Sequence, residues 1–422
     1  MSKFIQSIRG MPDLLPSDLG AWQYIEKSLR DLSNSFGFKE IRTPALESTD
    51  LFCRSIGEYT DVVEKEMYTF EDKSGSSLTL RPEGTASVVR AGNQHGFLYN
   101  QEQKLWYLGN MFRYERPQKG RLRQFTQFGV ELFGYSGIGA ELDLLLFSSK
   151  LWDALGFTDH VRLEINTIGT NAERQAYSAA FQQYMLSYKE SFSENVNLRL
   201  QKNPLRLLDS KDKTVVSLLE KAPVMYDFCG EETRNSFNNL CSSLDSLGIK
   251  YTINNRLVRG LDYYNNMVFE WVTDLLGSQS AILSGGRYDS LVSDLGGKPT
   301  PAVGFAAGLD RLVLIYNELK LNESRKSKKI VSLSFTDDSS MLDMFSLSKE
   351  LTSLFPEICF IKFYQASNYK KIIKKSILHE SNIIIVVNHL DSYTIKFLQE
   401  DNEDQHFISK SDVFSFLNEH FK

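Results

Sequence analysis

The sequence predicts an α+β core interrupted by a helical insertion, followed by a smaller C-terminal α/β domain. Three observations carry this. Aromatic and β-branched residues dominate positions 104–115 and 123–135, with the turn formers Pro117 and Gly120 between them. Strand signals thin out over about 170–250, where helical patterns such as 172–189 and 237–247 take over. Beyond the polar stretch 319–329, short apolar runs alternate with helical patterns, as in a domain with a largely parallel sheet.

Taken in order, residues 17–36 predict an amphipathic helix ending near Gly37, and 38–44 a short strand closed by Pro44. A helix follows at 140–156, with Glu141 and Asp143 in the first turn where the helix dipole favours acids. Residues 161–166 alternate as a strand. After the insertion, strands are expected at 250–272 and 279–286, bounded by Gly277, Gly285 and Gly286. Residues 302–308 then lead into a helix at Leu309-Asp310-Arg311. In the C-terminal part, strands at 330–335, 358–363 and 382–387 alternate with helices at 343–354, 369–378 and 410–421.

A chain of 422 residues fits two or three domains, and 42% hydrophobic with 12% aromatic residues is enough for well-formed cores. The longest apolar runs, such as Ile383-Ile384-Ile385-Val386-Val387, are far too short to cross a bilayer. The first ten residues lack the apolar segment of a secretory signal. Cys53, Cys229, Cys241 and Cys359 are scattered without CxxC spacing, which argues against a zinc site or a disulfide framework and fits a reducing cytoplasm. With a net charge of −5, contact with RNA would rest on local patches. One patch is the loop bearing Arg116, Lys119, Arg121 and Arg123. The other, Lys370, Lys371, Lys374 and Lys375, reads first as a solvated helix face.

The most unusual polar content lies in 113–131. Side chains alternate faces along a strand, so Phe125, Gln127 and Glu131 share one face of the second strand, and Arg113 and Glu115 share a face of the first by the same rule. Positive charge, an aromatic and a carboxylate are thus expected to converge on a single sheet face. A carboxylate and an amide inside an apolar strand are costly to bury without partners. Four further segments stand out. In Arg81-Pro82-Glu83-Gly84-Thr85-Ala86, where a strand meets a helix, Glu83 and Thr85 could accept from an ammonium group or cap the helix. Arg259, amid apolar residues near Tyr264, needs an anionic partner, which could be a ligand or Asp262. Ser284-Gly285-Gly286-Arg287-Tyr288-Asp289 reads as a ligand approach or a hairpin bend. In 304–311 small residues precede Arg311, placed to meet a phosphate near a helix N-terminus.

Together these segments resemble the histidyl-tRNA synthetases, a family of class II aminoacyl-tRNA synthetases, over roughly residues 1–316. Arg42-Thr43-Pro44 resembles class motif 1, the dimer-interface element; 112–131 resembles motif 2, and 302–311 motif 3. Arg259-Gly260-Leu261-Asp262-Tyr263-Tyr264 and 284–289 resemble the two histidine-specific motifs. The resemblance implies a class II catalytic domain at 1–325, built on an antiparallel sheet flanked by helices. It implies an anticodon-binding-like α/β domain at 328–422. There the text departs from the family at 366–371 and 388–391, so no anticodon contact is assigned.

The implied reaction forms histidyl-adenylate from histidine and ATP, then charges tRNA; Mg²⁺ comes with the ATP phosphates and no protein metal site is implied. Arg113 and Arg259 would contact the α-phosphate, Arg259 also guiding the substrate carboxylate. Arg311 would hold the γ-phosphate or stack on adenine, with Phe125 on its other face. Glu115 would orient the adenine amino group and Arg121 reach the distal phosphates. Glu83 and Thr85 would take the α-amino group, with Gln127 near the carboxylate. Glu131 and Tyr264 would read the donor and acceptor nitrogens of imidazole, with Tyr263 and Tyr288 lining the pocket. Such a site rejects apolar analogues by about 10⁴-fold or more, so no editing domain is needed. Arg116, Gln118 and Arg123 would meet the tRNA acceptor end. The implied protein is a cytoplasmic homodimer with no membrane partner. The rival is a histidine-binding regulatory paralogue, the regulatory subunit of short-form ATP phosphoribosyltransferase. It lacks the anticodon domain and often the catalytic arginines, whereas this chain keeps Arg113, Arg259 and Arg311.

Overall fold

The computed structural model describes residues 4–57, 60–277, 280–321, 329–388, 392–398 and 404–421. The chain divides into two compact units, 1–323 and 324–422. Most of the polar stretch at 319–329, and residues 389–391 of the divergent 388–391 segment, lie outside the described residues.

The larger unit contributes β1 (Lys39–Glu40), β2 (Leu46–Ser48), β3 (Tyr68–Glu71), β4 (Ser77–Leu80), β5 (Gln103–Phe112), β6 (Gln124–Phe133), β7 (Arg162–Thr167), β8 (Tyr251–Ile253), β9 (Asn265–Val272), β10 (Ala281–Arg287) and β11 (Ala302–Gly308). Eight of these form one sheet in the order β1-β5-β6-β11-β10-β9-β7-β8. Its interior pairings are antiparallel, while the edge pairs β1·β5 and β7·β8 run parallel. β2, β4 and β3 form a separate three-stranded sheet that local patterning did not predict.

Period-2 alternation sorts the central strands between two cores. Trp106 of β5 and Phe128, Val130 and Leu132 of β6 pack with residues of helices Leu19–Ser35, Gly139–Leu155 and Leu309–Glu318, including Leu29, Leu144 and Leu312. Tyr107, Met111 and Phe133 point the other way, into a cluster with Tyr263, Tyr264 and Tyr288. That second face carries the polar site. Several expected boundaries move. β5 ends at Phe112, so Arg113 and Glu115 lie beyond the strand, although Arg113 N still donates to Arg123 O at 2.9 Å. The strand expected over 38–44 shrinks to Lys39–Glu40. The stretch 250–272 is two strands separated by a loop, because 254–264 carries the polar turn residues that leave the sheet.

The insertion is helical, with Asn171–Leu186, Glu194–Lys202, Lys213–Leu219 and Glu231–Ser246 as its α-helices. The first of these carries a capping box, in which Thr170 and Glu173 satisfy each other's amides. Glu173 also accepts from Gly230 N at 2.6 Å and from Thr233 Oγ1, tying the first helix to the last. Tyr177, Phe181, Leu207 and Met225 form a core of the insertion's own.

The smaller unit holds β12 (Ile330–Phe335), β13 (Cys359–Lys362), β14 (Ile383–Val387), β15 (Tyr393–Phe397) and β16 (Gln405–Phe407), in the order β13-β12-β14-β15-β16. The expected largely parallel sheet is mixed. β13, β12 and β14 are parallel, but β15 and β16 add as an antiparallel meander that the helix–strand alternation did not predict. Ile383, Ile385 and Val387 face one helical layer, and Ile384 and Val386 the other, as a strand buried on both faces must.

Candidate active site

The hairpin of β5 and β6 sets the geometry. Its register pairs Met111 with Phe125, Gly109 with Gln127, Tyr107 with Gly129 and Leu105 with Glu131. Phe125, Gln127 and Glu131 therefore stand in a row on one face, as the alternation predicts. Gly129 is required in that row. A Cβ there would lie 2.2 Å from Tyr107 Cζ. The room it leaves lets the Tyr107 hydroxyl lie over the strand and donate to Gln127 Oε1 at 3.1 Å.

Glu131 lies deepest, beneath the floor of the site, and is 1% exposed. Thr85 Oγ1 donates to its Oε1 at 2.7 Å, and the Tyr288 hydroxyl donates to its Oε2. Burial raises the Glu131 pKa to about 8; the bonds from Tyr288 and Thr85 oppose the rise, and the Glu83 charge adds to it. Its carboxylate fits only because Gly304 is its partner on β11. A Cβ at 304 would come 1.8 Å from Glu131 Oε2.

Glu83 is buried just before helix Thr85–His95. Its oxygens accept from Thr85 N at 2.8 Å and Ala86 N at 2.7 Å, so it caps the helix while lining the pocket. Burial raises its pKa, and those two amides oppose the rise. Gln127 Oε1 also accepts from Gly84 N at 3.1 Å.

Above this floor lies a cavity of about 210 Å³, walled by Arg113, Arg121, Arg259 and Arg311 with Glu115 and Phe125. Arg113 sits 5.5 Å from the Phe125 ring centroid and donates from Nε to Pro82 O at 2.9 Å. Arg121 is ion-paired with Glu115 at 2.6 Å. Arg259 pairs with Glu270 of β9, not with Asp262, which lies 3.6 Å from Arg206. Burial is the largest influence and lowers the Arg259 pKa, but the Glu270 charge together with Tyr264 and Tyr263 outweighs it and the pKa is raised. Arg311 enters from the first turn of Leu309–Glu318 and donates from Nε to Gly120 O at 2.9 Å. Burial and the like charge of Arg121 lower its pKa. Four guanidinium groups around one cavity can neutralise a polyanion, and guanidinium matches phosphate oxygens bidentately.

Tyr263 and Tyr264 line the same cavity, with their rings 4.6 Å apart. Tyr288 and Glu131 are not on its wall; they lie behind it, with the Tyr288 ring 5.6 Å from that of Tyr263. The basic turn projects outward. Arg116 and Gln118 are exposed. Arg123 is instead held in the fold: its guanidinium lies 4.0 Å over the Tyr114 ring, and its amide donates to Gly10 O at 2.8 Å. On helix Tyr369–Leu378, Lys370, Lys371 and Lys374 are exposed, and Lys375 lies 5.4 Å from the Phe363 ring. Among the described residues no cluster of three His, Cys, Asp or Glu side chains could hold a metal ion.

Local patterning missed three participants. Tyr107 reaches the site from the neighbouring strand, a relation fixed by register alone. Glu270 meets Arg259 only once the 254–264 loop folds back over β9. Asp310 lines the cavity and accepts from Thr126 N at 2.8 Å; burial raises its pKa. Its signal was its place beside Arg311 at the start of a helix.

A family model described as histidyl-tRNA synthetase matches residues 10–312. Among solved structures, apo S. aureus histidyl-tRNA synthetase matches with TM-score 0.78 and 32% identity, over 98% of this chain and 99% of that one. Two more distant structures share the fold. One is described as an ATP phosphoribosyltransferase regulatory subunit/histidyl-tRNA synthetase from Bacillus halodurans, at TM-score 0.66 and 19% identity, covering 92% of this chain and 99% of that one. The other is histidyl-tRNA synthetase from Nostoc sp., at TM-score 0.67 and 17% identity, covering 99% of this chain and 100% of that one. The eight-stranded sheet with its helices is accordingly a class II synthetase core, and the five-stranded unit has the anticodon-binding fold. A match that begins at the Gly10 turn and runs through Arg311 takes in every wall of the cavity, and the chain belongs to the histidyl-tRNA synthetase family.

Proposed function

We propose that this chain is a histidine–tRNA ligase. A histidine carboxylate oxygen attacks the α-phosphorus of ATP, the bond to the β-phosphate breaks, and pyrophosphate leaves. A terminal ribose hydroxyl of histidine-specific tRNA then attacks the adenylate carbonyl, its proton is lost, and AMP leaves. The supporting observation is the cavity itself, with four arginines set above a buried carboxylate floor. It joins a polyanion site to a site for a small cationic and hydrogen-bonding side chain.

In this reading Arg113 and Arg259 steady the α-phosphate as charge develops, Arg259 drawing the substrate carboxylate with it. Arg121 and Arg311 take the distal phosphates, and Phe125 stacks on adenine beside Glu115. Magnesium arrives as part of the ATP substrate. Glu83 and Thr85 hold the α-amino group and Gln127 the carboxylate end, while Tyr263 lines the pocket. Glu131 and Tyr264 read the imidazole. A carboxylate has about four lone-pair sites, so Glu131 can accept from imidazole while Thr85 and Tyr288 keep their bonds. Positioning and charge stabilisation suffice, and no protein nucleophile is needed.

The same reading assigns catalysis to 1–325 and anticodon binding to 328–422. Arg116, Gln118 and Arg123 go to the tRNA acceptor end, and the setting is a cytoplasmic homodimer. Exposed Leu46 and Phe70, on the small sheet beside Arg42–Pro44, support a subunit contact there. No helix among the described residues is long and apolar enough to cross a membrane. The competing reading, a histidine-binding regulatory paralogue, has no use for a full set of phosphate-facing arginines.

Histidine-dependent ATP–pyrophosphate exchange, with Arg259→Ala as control, decides between them. Exchange with histidine alone among amino acids, abolished in the control, is the expected result. Histidine binding without exchange would favour the regulatory paralogue.

A further inference from the structure

The loop 257–262 carries Arg259 into the active site, yet it has empty space on both sides. One side is the active-site cavity. On the other lies a second cavity of about 400 Å³, between the loop and the helical insertion, and Arg259 and Leu261 border both. Leu257 and Leu261 pack into the catalytic unit and Val258 against the insertion core, but a loop bordered by two voids is supported on fewer sides than a core segment. Its ends are tied to the catalytic unit: Asn166 Nδ2 donates to Leu257 O at 3.0 Å, and Asp262 N donates to Ile56 O at 3.2 Å.

The Arg259 side chain is held by Glu270 of β9, while side chains of the insertion hold the loop's main-chain carbonyls at 260, 262 and 264. Arg174 donates from Nη1 to Tyr264 O at 2.6 Å and from Nη2 to Asp262 O at 3.4 Å. Arg206 donates from Nη2 to Gly260 O at 2.8 Å and pairs with the Asp262 carboxylate at 3.6 Å. Both arginines are themselves anchored. Arg174 sits in the first turn of Asn171–Leu186, where the capping box and the bond that Gly230 N donates to Glu173 fix the helix start, and Asn171 Oδ1 accepts from its Nη2 at 3.1 Å. Arg206 lies on the turn Pro204–Asp209, whose Leu207 and Leu208 are buried in the insertion core.

We infer that Arg174 and Arg206 are positioning residues: the insertion uses them as a two-point clamp on the main-chain carbonyls at 260, 262 and 264, and so sets where Arg259, Tyr263 and Tyr264 meet the substrate. The insertion is then part of the amino-acid site although it supplies no wall to it, and any displacement of the insertion moves the loop. The clamp's effect on substrate rests on the proposed histidine site; its effect on the loop does not.

The test separates the two. Hydrogen–deuterium exchange of the full-length protein is followed in peptides spanning 256–264, for the wild type, Arg174→Ala, Arg174→Lys and Arg206→Ala. Faster exchange in that segment in both alanine variants, with the amides of 175–185 unchanged, is expected. Arg174→Lys, which keeps the charge but has a single donor nitrogen to serve two carbonyls, should fall between. Histidine affinity by calorimetry should weaken roughly tenfold in each alanine variant, as for one lost bond to a charged group, while the KM for ATP in pyrophosphate exchange stays within about twofold. Unchanged exchange at 256–264 overturns the clamp whatever the enzyme's activity. So does a loss spread equally over the insertion helices, which marks general unfolding. A loosened loop in a protein that fails to make adenylate would keep the clamp and sink the ligase reading.

Discussion

Arg259 meets the active-site cavity already ion-paired with Glu270, a residue of the neighbouring strand that is itself largely buried. The pair lets a charged arginine wait in a half-dry site without an external anion. It also sets a competition, because an incoming carboxylate or phosphate must share the guanidinium with Glu270. Removing one partner of such a pair typically costs about 3–5 kcal/mol, less where water reaches it. Glu270→Gln should lower the melting temperature, and added pyrophosphate should restore more of it than in the wild type. Thermal scans with and without pyrophosphate check both parts.

Glu131 gives a pH signature to the unliganded fold. Its pKa is about 8 when folded, against an ordinary value of 4.5, because burial penalises the charge. The folded state thus holds a proton that the unfolded chain releases. The stabilising contribution is complete below 4.5 and is lost as pH rises through 8, amounting to at most about 5 kcal/mol. Glu131→Gln should remove this component, so that the variant gains on the wild type between pH 5 and 9. Urea denaturation across that range measures it, and parallel curves would refute it.

Gly304→Ala tests the close approach beneath Glu131. The new Cβ would lie 1.8 Å from the carboxylate and 2.6 Å from Val130 O, and main chain cannot swing aside as a side-chain end can. Overpacking of this kind costs about 1–3 kcal/mol or more. The variant should be clearly less stable, and what folds should bind histidine weakly by calorimetry.

Phe125→Ala probes the proposed adenine platform. Base–aromatic stacking is worth about 1–3 kcal/mol. The KM for ATP should rise by about tenfold or more, with the KM for histidine nearly unchanged, in exchange kinetics.

Arg116→Ala should separate the two half-reactions. Its side chain is exposed on the outward-facing turn. Pyrophosphate exchange should stay within about twofold of wild type, while tRNA charging weakens and loses part of its salt dependence. Steady-state charging at two salt concentrations would show it.

The β6 face pattern was legible because strand period is local: Phe125, Gln127 and Glu131 could be placed on one face from spacing alone. Their depth was not legible. Spacing cannot tell that Gln127 borders the cavity while Glu131 lies beneath it, since that depends on Gly304 arriving from a strand far along the chain. The partner of Arg259 failed for the same reason. Asp262 was near in sequence, whereas Glu270 is near in space. The antiparallel strands β15 and β16 were missed because they follow a run of parallel-sheet signals and β16 is only three residues long, and the β2-β4-β3 sheet because its strands span only a few residues each.

Where Gly129 and Gly304 adjoin Tyr107 and Glu131, the pocket's depth is set by main chain. An engineer wishing to admit a bulkier amino acid has no side chain to trim at those two positions. At the deep end, the side chains that could be cut back are Tyr107, Tyr288 and Thr85, each of which donates a hydrogen bond inside the site. Losing Thr85 or Tyr288 deprives a Glu131 oxygen of its donor, and losing Tyr107 leaves Gln127 Oε1 with the Gly84 amide alone. Enlarging the recognition site and weakening its scaffold are thus the same operation, and a redesign would have to supply a replacement donor for each one it cuts away.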